Sequence, residues 1–141
     1  MYKIGGNFWC INNNLTSLKG CPEIVGNGFN CNRNNLTSLE GCPEIVGGSF
    51  NCTYNNLTSL EGGPDLVKGG FYCSHNNLTS LEGGPDIISG DFSCRANNLI
   101  SLEGCPKIVK GSFYCYDQTN QHKFTKAEVR KHCKVDGKIY V

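Results

Sequence analysis

The residues of this chain that could do chemistry are ten cysteines, three histidines and twelve carboxylates among 141 residues. Protein metal sites built on cysteine usually contain Cys-x-x-Cys pairs, and the sequence has none. His122, His132 and Cys133 lie near one another in sequence, but they match no ligand spacing. His75 has no nucleophile or acid near it in sequence, and no Gly-rich loop opens a helix to hold a phosphate. We therefore expect no catalytic residues, no metal and no cofactor.

The cysteines are regularly placed rather than scattered as in small disulfide-rich proteins. Six of them recur every 21 residues, at Cys10, Cys31, Cys52, Cys73, Cys94 and Cys115. Three more, Cys21, Cys42 and Cys105, each precede a proline. Side chains on adjacent parallel strands are about 4.8 Å apart, whereas a disulfide prefers Cβ atoms about 3.8 Å apart. We expect the cysteines to act as small buried hydrophobic residues, with Cys10 and Cys21 the most exposed. Disulfides between adjacent coils remain the alternative.

The elements that position these cysteines form one internal repeat. Each unit reads Phe-x-Cys-x-x-Asn-x-Leu-x-x-Leu and then Gly-x-Pro, with its Phe at positions 8, 29, 50, 71, 92 and 113. A fixed period in this range is typical of a solenoid, in which stacked coils bury what one coil cannot. Alternation predicts a strand with Phe and Cys inward, and the Asn side chains predict a hydrogen-bonded ladder between coils. The residue two before each Phe is a glycine, as at Gly48, except for Asn27, and both residue types tolerate positive φ, which predicts a left-handed backbone there.

The C-terminal unit departs from this pattern. Residues 124–133 predict a short capping helix, with Thr125 and Glu128 as a capping box and Phe124 packed on Val129. Residues 135–141 then restore the strand motif, which makes this last coil 26 residues long. The expected fold is therefore one domain over residues 1–141. It has five 21-residue coils at about 8–112 and a cap coil at 113–141. About seven short parallel strands form a single concave sheet, with an extended, irregular convex side.

The repeat resembles the leucine-rich-repeat segment Leu-x-Leu-x-x-Asn-x-Leu, with Phe and Cys in place of the first two leucines. The stretch from Asn55 to Pro64 is similar to the short repeats of bacterial effector proteins. It is still more similar to small repeat proteins encoded by tailed bacteriophages, and the resemblance covers residues 5–141. It implies a protein that binds and blocks a host protein, of the anti-defence or anti-CRISPR type. A structural component of a virion is the alternative.

Three positions in each strand motif vary between coils, and we expect them to face solvent on the concave sheet. They hold the single Trp and five of the six Tyr, and Trp, Tyr and Arg are enriched in binding hot spots. The predicted concave strip comprises Trp9, Arg33, Tyr54, Tyr72, His75, Arg95, Tyr114, Tyr116 and Tyr140. We expect it to bind a protein partner without catalysis.

Charge is distributed unevenly along the chain. Residues 1–106 contain five basic and nine acidic side chains, whereas residues 107–141 contain eight basic and three acidic ones. The basic cap, with Lys123, Lys126, Arg130 and Lys131, is a second candidate surface, for nucleic acid or an acidic protein. Acidic residues repeat on the back of the coils, which predicts a solvated face or a dock for a basic partner.

Two features of the sequence bear on where the protein acts. Residues 1–6 lack the apolar run of a secretory signal, and no stretch approaches the roughly 18–20 apolar residues of a membrane span. We therefore expect a cytoplasmic protein that is not secreted and has no membrane partner. If it is encoded by a phage, this is the cytoplasm of the host.

Overall fold

The computed structural model describes all of residues 1–141 as a parallel β-solenoid of stacked coils with one short helix. Two strands of two residues occur in every coil, and α1 (Lys126–His132) lies between the twelfth and thirteenth strands. The strands are β1 (Lys3–Ile4), β2 (Phe8–Trp9), β3 (Ile24–Val25), β4 (Phe29–Asn30), β5 (Ile45–Val46), β6 (Phe50–Asn51), β7 (Leu66–Val67), β8 (Phe71–Tyr72), β9 (Ile87–Ile88), β10 (Phe92–Ser93), β11 (Ile108–Val109), β12 (Phe113–Tyr114), β13 (Lys134–Val135) and β14 (Ile139–Tyr140).

The strands form two separate parallel sheets of seven strands each. The odd-numbered strands make the isoleucine sheet and the even-numbered strands make the phenylalanine sheet. Equivalent residues pair from coil to coil, so Phe29 lies opposite Phe50. Phe113 pairs with Ile139, which confirms the predicted 26-residue last coil and the seventh rung of the phenylalanine sheet.

The prediction of a single sheet with an irregular convex side is therefore wrong. The Ile-Val pair that follows each Gly-x-Pro forms a second ladder, in which Gly47 donates its N–H to the Val25 carbonyl at 2.8 Å. Each proline lies two residues before its strand, as Pro43 does before Ile45, so its missing N–H interrupts no ladder bond. The Ile-Val pair of one coil then pairs with the equivalent residues of both neighbouring coils, and β-branched residues of this kind are favoured in strands.

The core consists of stacked columns of identical or similar side chains. Phe50, Cys52, Leu57, Leu60 and Val46 are all inaccessible or 1% exposed, and their equivalents in the neighbouring coils belong to the same cluster. The rings of successive Phe residues have centroids 5.1–6.0 Å apart, and all of these pairs stack except Phe92 and Phe113, whose planes are tilted by 50°. Each coil therefore buries its apolar residues against the coils on either side, as a solenoid requires.

The predicted asparagine ladder is confirmed. Asn76 donates from Nδ2 to the carbonyls of Cys73 at 3.1 Å and Cys52 at 3.0 Å, and its Oδ1 accepts the Leu57 N–H at 3.0 Å. Gln118 makes the equivalent three bonds in the last coil. These side chains satisfy backbone groups at the bend, where no strand pairing can reach them.

The predicted left-handed backbone at the glycine before each Phe is wrong. The glycines with positive φ are those that precede the proline segment, for example Gly62 at +76°. At Gly48 and Gly90 the constraint is close approach instead, because a Cβ would lie 2.9 Å and 2.7 Å from the backbone of the preceding coil. A side chain is therefore disfavoured at Gly62 by its torsion angle and at Gly48 and Gly90 by steric contact. The sequence alone does not distinguish these two reasons.

The C-terminal cap follows the sequence closely. Thr125 is the N-cap of α1 and accepts the Glu128 N–H, while Glu128 accepts the Thr125 N–H at 2.6 Å, which confirms the capping box. Val129 is inaccessible and Phe124 is 5% exposed, so both belong to the core. This seven-residue helix is too short to cross a bilayer, and no helix that could do so is present.

All ten cysteines are free thiols, and the inward column is buried apart from Cys10. Burial raises the pKa of Cys52, Cys73 and Cys94 well above the ordinary thiol value, and the neighbouring cysteines raise it further. These thiols are therefore protonated at neutral pH and unreactive. Cys10, Cys21 and Cys42 are half-buried and are the most accessible of the ten.

Candidate functional site

The varying positions in and directly after the strands of the phenylalanine sheet form three columns, which we call the outward strip; its members are exposed or partly exposed except for the buried Ser74 and Ser93. Because equivalent residues of successive strands pair, the first column has one residue in each of the seven strands of this sheet. It contains Trp9, Asn30, Asn51, Tyr72, Ser93, Tyr114 and Tyr140. The second column contains Ile11, Asn32, Thr53, Ser74, Arg95 and Tyr116, and the third contains Asn12, Arg33, Tyr54, His75, Ala96 and Asp117. Every residue of the predicted concave strip lies in one of these columns.

The C-terminal part of the strip contains its largest cavity, which we call the tyrosine pocket. Tyr114 and Tyr140 stack face to face with centroids 4.7 Å apart and planes 3° apart. The pocket has a volume of about 730 Å³. Its lining consists of Tyr114, Tyr116, Asp117, Lys126, Ile139, Tyr140 and Val141. Stacked tyrosines hold a defined position before any partner arrives, which reduces the entropy lost on binding.

A smaller cavity of about 250 Å³ adjoins the tyrosine pocket between Tyr72 and Tyr114. Its floor is Ser93, whose hydroxyl lies 2.7 Å from that of Ser74, and both serines are buried. The small Ser93 leaves room between the two tyrosines on the neighbouring rungs. Burial raises the pKa of Tyr72, and Asp91 and Tyr114 raise it further, so its hydroxyl is neutral and able to donate. Arg95 lies over the Tyr116 ring at 5.6 Å.

The third column has an unusual backbone. Its members, including Arg33, Tyr54, His75 and Ala96, all have φ between +53° and +58°, a region that glycine adopts without steric cost. Side chains are nevertheless present at each rung, and they stack: Arg33 lies 4.9 Å from the Tyr54 ring centroid, and Tyr54 stacks on His75 at 4.3 Å. Burial lowers the pKa of His75 and Arg95 lowers it further, whereas Asp117 opposes the shift. His75 is therefore neutral at pH 7.

The N-terminal part of the strip is more polar than the predicted site residues indicated. A groove of about 160 Å³ runs between Trp9 and Tyr72 over Asn30 and Asn51. The Oδ1 atoms of these two asparagines accept from backbone N–H groups two residues later, at 3.1 and 3.0 Å. Their Nδ2 groups bond nothing in the chain and are free to donate to a ligand. Asparagine is unfavourable in strands, and that was the one sequence signal for these two residues.

The basic cap forms a separate surface. Lys123, Lys126, Arg130 and Lys131 are all exposed, and none of them has a carboxylate within 4 Å. Arg130 and Lys131 line an open cleft of about 440 Å³ together with His132 and Lys134. Lys126 belongs to the tyrosine pocket instead, so it alone of these residues connects the cap with the outward strip.

No group of three or more His, Cys, Asp or Glu side chains is arranged to hold a metal ion. The side chains of the strip include stacked aromatic rings, hydrogen-bond donors and a few charged groups. Comparisons of the chain with protein-family models, with curated proteins and with solved structures give no match.

Proposed function

We propose that this chain is a non-catalytic protein-binding module that captures a protein partner through the outward strip. One observation carries the proposal. Positions that face the core hold the same residue type in nearly every coil, whereas the outward columns hold different residues and contain most of the Trp and Tyr. Folding alone explains the inward columns, because each buried side chain must match its neighbours. It places no such demand on the outward ones.

The tyrosine pocket is the anchor of the proposed interface. An aromatic or aliphatic side chain of the partner would pack against the Tyr114–Tyr140 stack, with Lys126 and Asp117 at the rim to orient a polar neighbour. Aromatic anchors with few rotatable bonds lose little entropy on binding, so this end of the strip is expected to provide most of the affinity.

The more specific form of the proposal rests on the resemblance to phage-encoded repeat proteins. In that form the module is a leucine-rich-repeat protein that acts in the host cytoplasm and blocks a host protein, as an anti-defence or anti-CRISPR inhibitor. A structural role in a virion is the competing form. It requires the protein to be incorporated into particles rather than to capture a soluble host protein.

Affinity purification from bacterial host lysate, followed by mass spectrometry, tests the proposal. We expect Tyr114→Ala combined with Tyr140→Ala to lose the captured protein while the melting temperature changes little. Ile100→Ala is the control, because Ile100 is 69% exposed and lies outside the strip. Equal capture by the double variant and the control would exclude the strip as the interface. Recovery of the protein in purified particles would support the virion form.

A second candidate function uses the basic cap, and it is favoured because none of the cap's cations forms an ion pair with a carboxylate within 4 Å. Here the cap binds nucleic acid or an acidic protein. Reversing Lys123, Arg130 and Lys131 to Glu would then abolish capture, whereas the tyrosine double variant would retain it. The two variant sets share no residue, so the two candidate surfaces are separable in one experiment.

A further inference from the structure

The isoleucine sheet has an outward face of its own, which neither the sequence-based site nor the proposed function uses. In the odd-numbered strands from β3 to β11, the first residue is aliphatic and exposed or partly exposed, while the second is buried in the core. Leu66 is 41% exposed and Ile87 is 48% exposed, and the others are partly exposed. We call this column the aliphatic ridge; it consists of Ile24, Ile45, Leu66, Ile87 and Ile108.

The ridge runs along the solenoid axis, because coil-to-coil register places these residues directly opposite one another or in equivalent positions. With strands about 4.8 Å apart, five rungs make an apolar stripe roughly 19 Å long. Contiguous exposed aliphatic side chains on a sheet normally mark a surface that another molecule covers. The inward residues of these strands, four valines and Ile88, already fill the core, so core packing does not account for this second apolar column.

Acidic residues border the ridge along one side. The residue before each ridge position is Glu23, Glu44, Asp65 or Asp86 in four successive coils, and all four are exposed. Asp86 pairs with Lys107 at 2.9 Å, whereas the other three have no cation within 4 Å. Carboxylates held on adjacent rungs repel one another, and a cation from another molecule would relieve that repulsion.

We propose that the aliphatic ridge and its acidic border bind a basic amphipathic helix of a partner protein. The spacing favours a helix. One helical turn advances about 5.4 Å, close to the roughly 4.8 Å between rungs, so aliphatic residues at i, i+3 or i+4 and i+7 can each meet one rung. Lysines or arginines on the adjoining face then lie over Glu44 and Asp65.

Other occupants fit this surface less well. Side chains on one face of a β-strand are about 6.6 Å apart, which falls out of step with the rungs after two residues. A second copy of this chain, docked ridge to ridge in the antiparallel orientation, would place two acidic columns against each other. The inference goes beyond the proposed function and does not depend on it, because the ridge and the outward strip belong to different sheets.

A designed peptide tests the proposal on the full chain. It has about 16 residues, with leucines at i, i+3 or i+4 and i+7 and lysines elsewhere, and its binding is followed by fluorescence anisotropy. We expect micromolar binding that weakens with added salt. A peptide with glutamate in place of each lysine should bind at least tenfold more weakly, as should a scrambled peptide of the same composition that loses its apolar face.

Two variants locate the binding surface. Leu66→Ser combined with Ile87→Ser should weaken binding at least tenfold, whereas Glu44→Gln combined with Asp65→Asn should weaken it several-fold and reduce its salt dependence. Tyr114→Ala combined with Tyr140→Ala should leave peptide binding unchanged. No binding, equal binding of the scrambled peptide, or unchanged binding by both ridge variants would overturn the proposal. If circular dichroism shows that the serine variant is unfolded, the variant with Glu44→Gln and Asp65→Asn alone tests the proposal.

Discussion

The two ends of the solenoid differ in what covers the last layer of the core. At the C-terminal end α1 packs beside β14, and Phe113, Val129 and Phe124 are all at most 5% exposed. In the first coil, Phe8 and Leu15 are half-buried, and Phe8 stacks on one ring, that of Phe29 at 5.6 Å. The same residue types thus occupy equivalent positions with different amounts of cover.

This difference shows that the contribution of a side chain to the stability of a solenoid depends more on how its neighbours cover it than on its residue type. Phe71 and Phe8 have the same place in the repeat, but Phe71 lies between Phe50 and Phe92 and is inaccessible. Stability in such a stack is approximately a sum of coil and interface terms, so a coil with one interface is expected to unfold first.

The largest expected effect comes from truncating the phenylalanine column at these two places. Phe71→Ala should reduce the free energy of unfolding by about 3–5 kcal/mol, because it leaves a cavity between two coils. Phe8→Ala should cost roughly 1 kcal/mol, since its ring is half-buried and its removal encloses no cavity. Urea denaturation followed by circular dichroism measures both. Equal losses would mean that the first coil is covered as well as the middle ones.

The asparagine ladder allows a matched comparison with a smaller expected effect. Asn76→Ala should cost about 3 kcal/mol, because buried carbonyls of Cys52 and Cys73 and the Leu57 N–H lose their partner. The Asn13 side chain is exposed and bonds no backbone group, so Asn13→Ala should change stability by at most about 0.5 kcal/mol. The same denaturation experiment compares the two. A large loss at Asn13 would show that this ladder position has a bonding partner in solution.

The sequence predicts the fold best at the residues whose type is constrained by burial. The period, the inward Phe and Cys, the ladder and the helix cap were predictable because each repeats or matches a local motif with one physical solution. The isoleucine sheet was missed because both residues of a pair such as Ile45–Val46 are apolar although only Val46 is buried, so the pair shows no alternation of apolar and polar residues. The positive φ of Tyr54 and His75 was missed because neither residue type indicates it.

The candidate site is less predictable for a physical reason. Most residues of the outward strip are exposed or partly exposed and are less constrained by packing than the core. The sequence shows that its positions differ between coils, but it does not show that the rings of Tyr114 and Tyr140 stack. Likewise, the free Nδ2 groups of Asn30 and Asn51 depend on where their Oδ1 atoms bond, which needs coordinates. The aliphatic ridge was hidden within the same Ile-Val pairs that concealed the second sheet.

The smallest expected effect concerns pH and distinguishes the two ends chemically. The Thr125 backbone N–H and hydroxyl hold the pKa of Glu128 below its usual range, so the folded cap favours the charged carboxylate. The resulting stability is present above the unfolded glutamate pKa of about 4.3 and is lost as pH falls through the lower folded value. The first coil has no carboxylate before Glu23, so it should show no such dependence.

Hydrogen exchange of the Val129 and Cys133 amides, which bond within α1, measures this effect directly. Protection corrected for the intrinsic rate should fall between pH 6 and pH 3 at these amides and stay constant at Phe8. Glu128→Gln should remove the pH dependence, because a glutamine side chain does not titrate in this range. Thr125→Ala should lower protection at every pH. If Glu128→Gln kept the same pH dependence, another group would titrate with the cap, and the capping box would not be what separates the two ends.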